Sequence, residues 1–347
     1  MTWTSPEEED VADQINALTF DEKNPGRKTF GADETSLFRL EKWEPGKYAK
    51  LIANWESREG MPYVDAIEIQ IGRTAHDRLL GLELGKSDFA PLPPQMARQA
   101  MDHGVRVSVS KPDELLALVF DGGVGPDSGP PVDERAREAL AATIDRASIV
   151  NFILQKNGEA AGGLLPQWSS GTAFLFSTAS NPARAKELWA QIPGPPKLVL
   201  GYDSGDALEQ SVADRIVVNS REAGIPLAAQ MMAKSTNGKA NVNARLVRLR
   251  MISPEPRAAL EKFVSTLARI TGLEADPLLD PASPEEIYTR ERGIVDTYRV
   301  IPLVWLPRVY GLSARVRNWV APGPGETWPL ADVWLDTQGE AGEKDKP

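Results

Sequence analysis

Cysteine is absent from the 347 residues, and only two histidines, His76 and His103, are present. The first absence excludes disulfides, thiolate nucleophiles and Cys-ligated zinc or iron–sulfur centres, and it is compatible with any redox compartment. Neither histidine stands in HExxH or a comparable ligand spacing, so both read as surface residues rather than metal ligands. No serine lies in GxSxG, and two histidines leave a hydrolytic triad little to draw on. Apolar runs of about 18 residues or more are missing, so no transmembrane helix is expected. The opening MTWTSPEEEDVADQINALTF has neither the basic start, the apolar stretch nor the small-residue cleavage site of a secretory signal. Basic residues are also outnumbered, 39 Lys and Arg against 49 Asp and Glu for a net charge of −10. Such a field repels phosphate backbones and anionic lipid heads, so nucleic acid is not an expected partner.

What is present is enough apolar material for a real core, 41% of the chain, and a length that suggests about two domains. Residues 1–36 are charged and punctuated by Asn24-Pro25-Gly26. They read as a surface lead-in with one short helix capped by Ser5. From Leu37 short strands follow: LFRLEKW, KYAKLIAN after the turn Glu44-Pro45-Gly46, and DAIEIQI, where Ile67, Ile69 and Ile71 alternate with polar residues. Helices are expected over 74–84, ending at Gly85, and over 94–102, then strands VRVSVS and ELLALVF. Two helices are expected near 133–143 and 146–155, the second capped by Asp145. Residues 197–232 give a strand, a helix with the stripe Val212, Ile216, Ser220 and Ala223, and a second strand, which is a βαβ unit. A strand near 244–251 and helices over 256–271 and 284–296 come next. Pro302 and Pro307 then confine the apolar run RVIPLVWLPRVYGL to an edge or a bulge. The charged tail from Gln338 is expected to be mobile.

The candidate motifs have plain competitors. Gly85-Lys86-Ser87 has Leu80 where a phosphate loop needs its earlier glycine. Gly122, Gly123, Gly125, Gly201 and Gly205 never satisfy GxGxxG between strand and helix, so no dinucleotide site is supported. Ala141, Ile144, Asp145 and Arg146 suggest a catalytic carboxylate, but an N-cap Asp beside a locally paired Arg explains them better.

The order of these elements and the words inside them resemble one family, the family 5 extracellular solute-binding proteins, which are peptide and nickel receptors of ABC importers. FRLEKWEPG, YAKLIAN and MPYVDAIEIQI are similar to the family's run from a main-lobe strand into its PYxD strand. Leu82, Gly85, Asp88 and Leu92-Pro93-Pro94 match its Leu-x-x-Gly-x-x-Asp stretch and following turn. VDERAREALAATIDRASIV matches the RxAhxxAIDRxxIV helix pair through Arg137, Ala139, Leu140, Ile144, Asp145, Arg146, Ile149 and Val150. NPARAKELW, LEQSVADRIVVNSREAGIPLAAQ and IPLVWLPRVYGLSARVRNW resemble later segments, Asn181 standing where the family usually has Asp. The similarity runs from about 37 to 320.

The resemblance implies an α/β, periplasmic-binding-protein-like (type II) bilobal fold with mixed sheets, lacking the family's small extra lobe. The expected organisation is a lead-in over 1–36, a discontinuous main lobe over 37–160 and 299–335, a second lobe over 161–298, and a tail over 336–347. The implied function is to capture a short peptide or similar small solute in an interlobe cleft and deliver it to ABC permease subunits. It would act as a monomer outside the cytoplasmic membrane, without enzyme activity, cofactor or metal. A degenerate derivative serving as an interaction scaffold is the alternative. The ligand-binding candidates are Gly162 and Gly163, which let backbone approach a ligand closely, with Gln167 and Trp168 beside them. Asp203, for a ligand amine, and Trp305 and Arg308, for an aromatic wall and a carboxylate clamp, complete the set. A core Trp, a surface Arg and an exposed loop Asp are the competing readings.

Overall fold

The computed structural model describes residues 2–4, 37–58, 60–122, 131–232, 242–273, 278 and 281–336. The chain forms two compact units, Met1–Lys111 with Arg308–Pro347, and Pro112–Pro307. The lobe boundaries expected from the resemblance lie near 160 and 298.

Along the chain, β1 is Thr2–Thr4, β2 Phe38–Glu44, β3 Tyr48–Ala53 and β4 Ala66–Gln70. The helix α1, Ala75–Glu83, starts at Thr74, whose hydroxyl accepts the Asp77 amide at 3.1 Å. It stops before Gly85, which takes a φ of 65° that few other residues tolerate. Then come β5, Phe89–Leu92, α2, Ala97–Asp102, and β6, Arg106–Phe120. Next are α3, Glu134–Thr143, α4, Arg146–Ser148, β7, Glu159–Ala160, α5, Gln167–Ser170, and α6, Pro182–Ala190. The βαβ unit is β8, Leu198–Asp203, α7, Ala207–Glu222, and β9, Leu227–Met232. The rest are β10, Ala244–Arg250, α8, Pro256–Thr271, α9, Pro284–Val295, β11, Val300–Leu312, β12, Val316–Arg317, and β13, Trp334–Leu335.

In the first unit the strand order is β2-β3-β4-β1-β5, followed by the C-terminal end of β11. The period of two puts Ala49, Leu51, Ile67, Ile69, Phe89 and Tyr310 into one core with Trp328 and Val333. Their neighbours Ala90, Leu92 and Val309 belong to another, with Leu79 and Leu82 of α1 and Ala97 and Ala100 of α2. The strand β1 runs parallel to β4 and β5 between them, so the lead-in contributes an inner strand where a surface segment was expected. The helix expected after Ser5 and the tail from Gln338 lie outside the described residues.

The second unit is layered. The strands β8 and β9 are parallel, β10 is parallel to β8, and β10 is antiparallel to β6. Leu116, Leu118 and Phe120 of β6 pack with Ala136, Leu140, Val212 and Ile216 of α3 and α7. Leu115, Ala117 and Val119 pack with Leu260, Phe263, Ile287 and Ile294 of α8 and α9. Alternate side chains of one strand thus serve two helical layers, which is why the run reads as continuously apolar.

Three expectations change. The two strands expected within 105–120 are one, because Pro112 lies beyond the last β10 pair, Glu114 with Arg250, and so removes no donor from that ladder. The helix expected over 146–155 makes one α-turn and then widens into a π-helix over Ile149–Ile153, ending at positive φ on Gln155 and Lys156. The strand β11 is internal rather than an edge. Its pairs with β7 involve Val304 and Trp305, and those with β5 begin at Val309. In the strand order β11 lies between β5 and β6, and Pro302 and Pro307 fall outside the stretches paired with β5 and β7, so their missing amides cost those two ladders nothing.

Candidate functional site

Helix α9 begins with a full capping box, Ser283 accepting the Glu286 amide while the Glu286 carboxylate accepts that of Ser283 at 2.7 Å. That start sets its buried stripe: Ile287, Glu291 and Ile294. The stripe places a carboxylic acid, 0% exposed, under the segment that contains Gly162 and Gly163. Oε1 of Glu291 accepts hydrogen bonds from the Leu164 amide and, at 2.9 Å, from the Leu165 amide. Oε2 is buried and has no partner among the described residues. Burial raises the carboxyl to about 7 against the opposing effect of those two amides.

Four of the predicted residues, Gly162, Gly163, Gln167 and Trp168, lie in or next to this segment. A Cβ on Gly162 would stand 2.6 Å from the Phe176 carbonyl oxygen, and one on Gly163 2.4 Å from Glu291 Oε1. Both glycines therefore admit close approach by the chain itself. Gln167 opens α5 and closes its loop, its Nε2 donating to the Gly171 carbonyl at 2.9 Å and its Oε1 accepting the Phe174 amide at 3.1 Å. Trp168, half-buried, donates from Nε1 to the Pro112 carbonyl at 2.8 Å. Trp305 is 2% exposed and stacks in the core at 6.2 Å from Phe263, which gives it the core role rather than that of an open wall.

Asp203 ends β8 elsewhere in this unit. Its carboxylate accepts the Gly205 amide at 2.8 Å, and its own amide donates to Glu209 at 2.9 Å. That turn belongs to a charged cluster. Arg248 of β10 pairs with Glu114, with Asp206 at 2.5 Å and with Glu209 at 3.5 Å. Burial works against the Arg248 charge, but Glu114, Asp206 and Glu209 outweigh it and hold the guanidinium above its ordinary pKa. Burial in turn raises the Glu209 carboxyl. Arg308 belongs to the first unit, where its Nη2 donates to the Pro322 and Gly323 carbonyls at 2.9 Å each and its amide donates to Ser110 Oγ.

The structure thus brings Gly162, Gly163, Gln167 and Trp168 into one segment and keeps Asp203 in a separate cluster. Two open clefts, of about 640 and 670 Å³, lie in the first unit. The former is lined by Tyr63, Asp65, Asn318 and Trp334 and the latter by Lys42, Tyr48 and Glu68, and neither includes a predicted residue. Among the described residues no group of three His, Asp or Glu is placed to hold a metal, and no helix is long and apolar enough to cross a membrane.

Sequence reasoning missed Glu291, although its signal is there: an acid at an apolar position of the stripe Ile287, Glu291, Ile294. It also missed Phe174, 74% exposed next to the Gln167 loop, for which the sequence offers no signal. Asp145 caps α4 as expected, accepting the Ser148 amide at 3.1 Å. Arg146 does not pair locally. It is 6% exposed and donates from Nε to the Pro302 carbonyl at 2.8 Å, and burial lowers it to about 10.

Over 124 residues, 36% of this chain and 22% of its relative, the sequence is 30% identical to the oligopeptide-binding protein AppA of Bacillus subtilis. The fold is similar to that of the ABC transporter substrate-binding protein CtaP of Listeria monocytogenes. The TM-score is 0.72 at 17% identity, covering 87% of this chain and 66% of that one. It is also similar to the murein tripeptide binding protein MppA of Escherichia coli, with a TM-score of 0.71 at 15% identity, covering 86% and 64%. The chain thus spans just under two thirds of these solved structures, which share the type II periplasmic-binding-protein fold. Residues 9–267 match the profile of the bacterial extracellular solute-binding proteins, family 5 Middle, a longer N-terminal reach than the resemblance from about 37 suggested. The chain belongs to the family 5 bacterial extracellular solute-binding proteins.

Proposed function

We propose that the chain is the substrate-binding component of an ABC-type importer, which captures a short peptide or similar small solute and delivers it to a permease. The family match over residues 9–267 carries this reading. The peptide as substrate class is supported by the names of AppA and MppA, an oligopeptide-binding and a murein tripeptide binding protein. An extended peptide would pair through its backbone and leave side-chain pockets permissive, as in strand addition. In the second unit the ligand contacts we assign are the ring of Trp168, the exposed side of Gln167 and the second carboxylate oxygen of Asp203. Gly162 and Gly163 shape that surface from beneath.

Calorimetric titration of the purified chain with synthetic peptides of graded length tests the reading. Saturable binding is expected, weakened by Gln167→Ala and by Asp203→Asn. No saturable heat with any peptide, at protein concentrations that detect millimolar affinity, would remove the peptide assignment.

A further inference from the structure

The acid beneath the Gly162–Gly163 segment is buried in a way that neither folding nor ligand capture obviously requires. A core helix position ordinarily takes an apolar residue, and a carboxyl there costs free energy unless its hydrogen bonds are complete. Glu291 completes only one side: Oε1 takes the Leu164 and Leu165 amides, while Oε2 is buried with no partner among the described residues. The fit is specific. The carboxyl oxygen occupies the space that any side chain at position 163 would need, and the Phe176 ring closes the same space at 2.8 Å from such a Cβ. The two glycines, the two amides and the acid thus form one fastening between α9 and residues 162–165.

We propose that Glu291 is a positioning residue: its carboxyl fixes the backbone course of Gly162–Gln167, and gain or loss of its proton changes how firmly that segment is held. The consequence for ligand capture rests on the reading above, in which Gln167 and Trp168 meet the ligand. An ionised carboxylate holds amide donors more strongly than a neutral acid does, while its charge is disfavoured by burial. The two forms are therefore close in energy near neutrality, and the carboxyl sits at about 7.

Charged neighbours do not set this balance, since burial and the two amides are its causes. On α9 itself Arg292 pairs with Asp296 at 2.9 Å and lies over the Phe176 ring, and Glu286 is taken up by the Ser283 cap. Tyr288 packs its ring on Phe176, while Glu285 and Arg290 complete the charged and titratable side chains of the helix. From α8, Arg257 pairs with Glu261, and Lys262 and Arg269 are the helix's remaining charges. Residues 160–178 contain no titratable side chain.

The test follows the Leu164 and Leu165 amide resonances of the ligand-free full chain, labelled with ¹⁵N-leucine, between pH 5.5 and 8.5. Both are expected to shift downfield together as pH rises, with one midpoint at about 7. In Glu291→Gln, which keeps an oxygen acceptor of the same reach, they should stay flat and remain protected from exchange. In Glu291→Ala their protection should fall while distant amides are unaffected. Flat amides in the wild-type chain would overturn the proposal, and so would a titration that persists in Glu291→Gln. The wild-type result stands alone if a variant fails to fold. Peptide titrations at pH 6 and 8 on the same samples separate the two readings: absence of binding at both refutes the ligand assignment and leaves the amide result to decide on Glu291.

Discussion

Replacing Arg248 by Met keeps most of the aliphatic stem and removes the cation from a cluster that joins β6, β10 and the start of α7. Asp206 and Glu209, with side-chain exposures of 24% and 7%, would be left facing each other, while Glu114, 15% exposed, would keep its pair with Arg250 at 3.6 Å. Removing one partner of a fully buried ion pair costs about 3–5 kcal/mol, and exposed pairs contribute about 0–1 kcal/mol. Arg248 is 30% exposed. The expected loss is therefore intermediate, about 2–3 kcal/mol at pH 7.5, which would lower the urea midpoint by about 1 M.

The pH dependence supplies the sharper test. The folded-state pKa of Glu209 already lies above its ordinary value because of burial. Its favourable contribution is complete below the ordinary carboxylate range and is lost as pH rises through the raised value. Without Arg248 that value rises further, so the defect should be largest at pH 7.5 and shrink at pH 4.5, where Glu209 takes up its proton. Adding Glu209→Gln to the Met variant should recover part of the loss at pH 7.5. Urea unfolding followed by circular dichroism measures all three. An equal defect at both pH values, or a midpoint shift near zero at pH 7.5, would refute the electrostatic account of the cluster.

Four further outcomes are expected. Gly163→Ala puts a methyl 2.4 Å from Glu291 Oε1 and 2.8 Å from the Phe176 ring, so overpacking should cost about 1–3 kcal/mol in chemical unfolding. Gly293→Ala, whose Cβ would meet nothing within 4 Å, should cost no stability and serves as the control. Asp145→Ala removes the oxygen that accepts the Ser148 amide and should cost about 1 kcal/mol in the same assay. Trp168→Phe keeps the ring and deletes the donor to the Pro112 carbonyl, leaving that oxygen without its indole partner and costing about 1 kcal/mol.

Much of the fold is legible because local patterns and tertiary packing agree. Ile67 and Ile69 alternate and are buried, Asp145 caps its helix, and the βαβ unit around Val212 and Ile216 forms as its periodicity implies. The misreadings occur where a distant partner decides. Thr2–Thr4 becomes an inner strand only because β4 and β5 leave a place between them, which no property of the segment encodes. Pro302 and Pro307 signal an edge only if every residue of β11 must be paired, and two of its neighbours pair with it over short stretches. Arg146 has Asp145 beside it in sequence, yet its buried guanidinium finds the Pro302 carbonyl on another element.

The packing around the Gly162–Trp168 segment was only partly legible. A Gly-Gly step before Gln167 and Trp168 marks a segment that needs backbone room, but the sequence does not say what takes the room. Here Phe176 and Glu291 take it, standing where a Cβ on Gly162 or Gly163 would point. On the proposed reading the ligand meets this segment through Gln167 and Trp168. Their remaining freedom is small, because the Gln167 amide is bonded at both ends and the Trp168 indole is tied to Pro112. If this segment meets the ligand as proposed, such anchored side chains give up little entropy on binding. Glu291 lies beneath it with a carboxyl raised to about 7 by burial, so the anchored side chains and the buried proton belong to one segment.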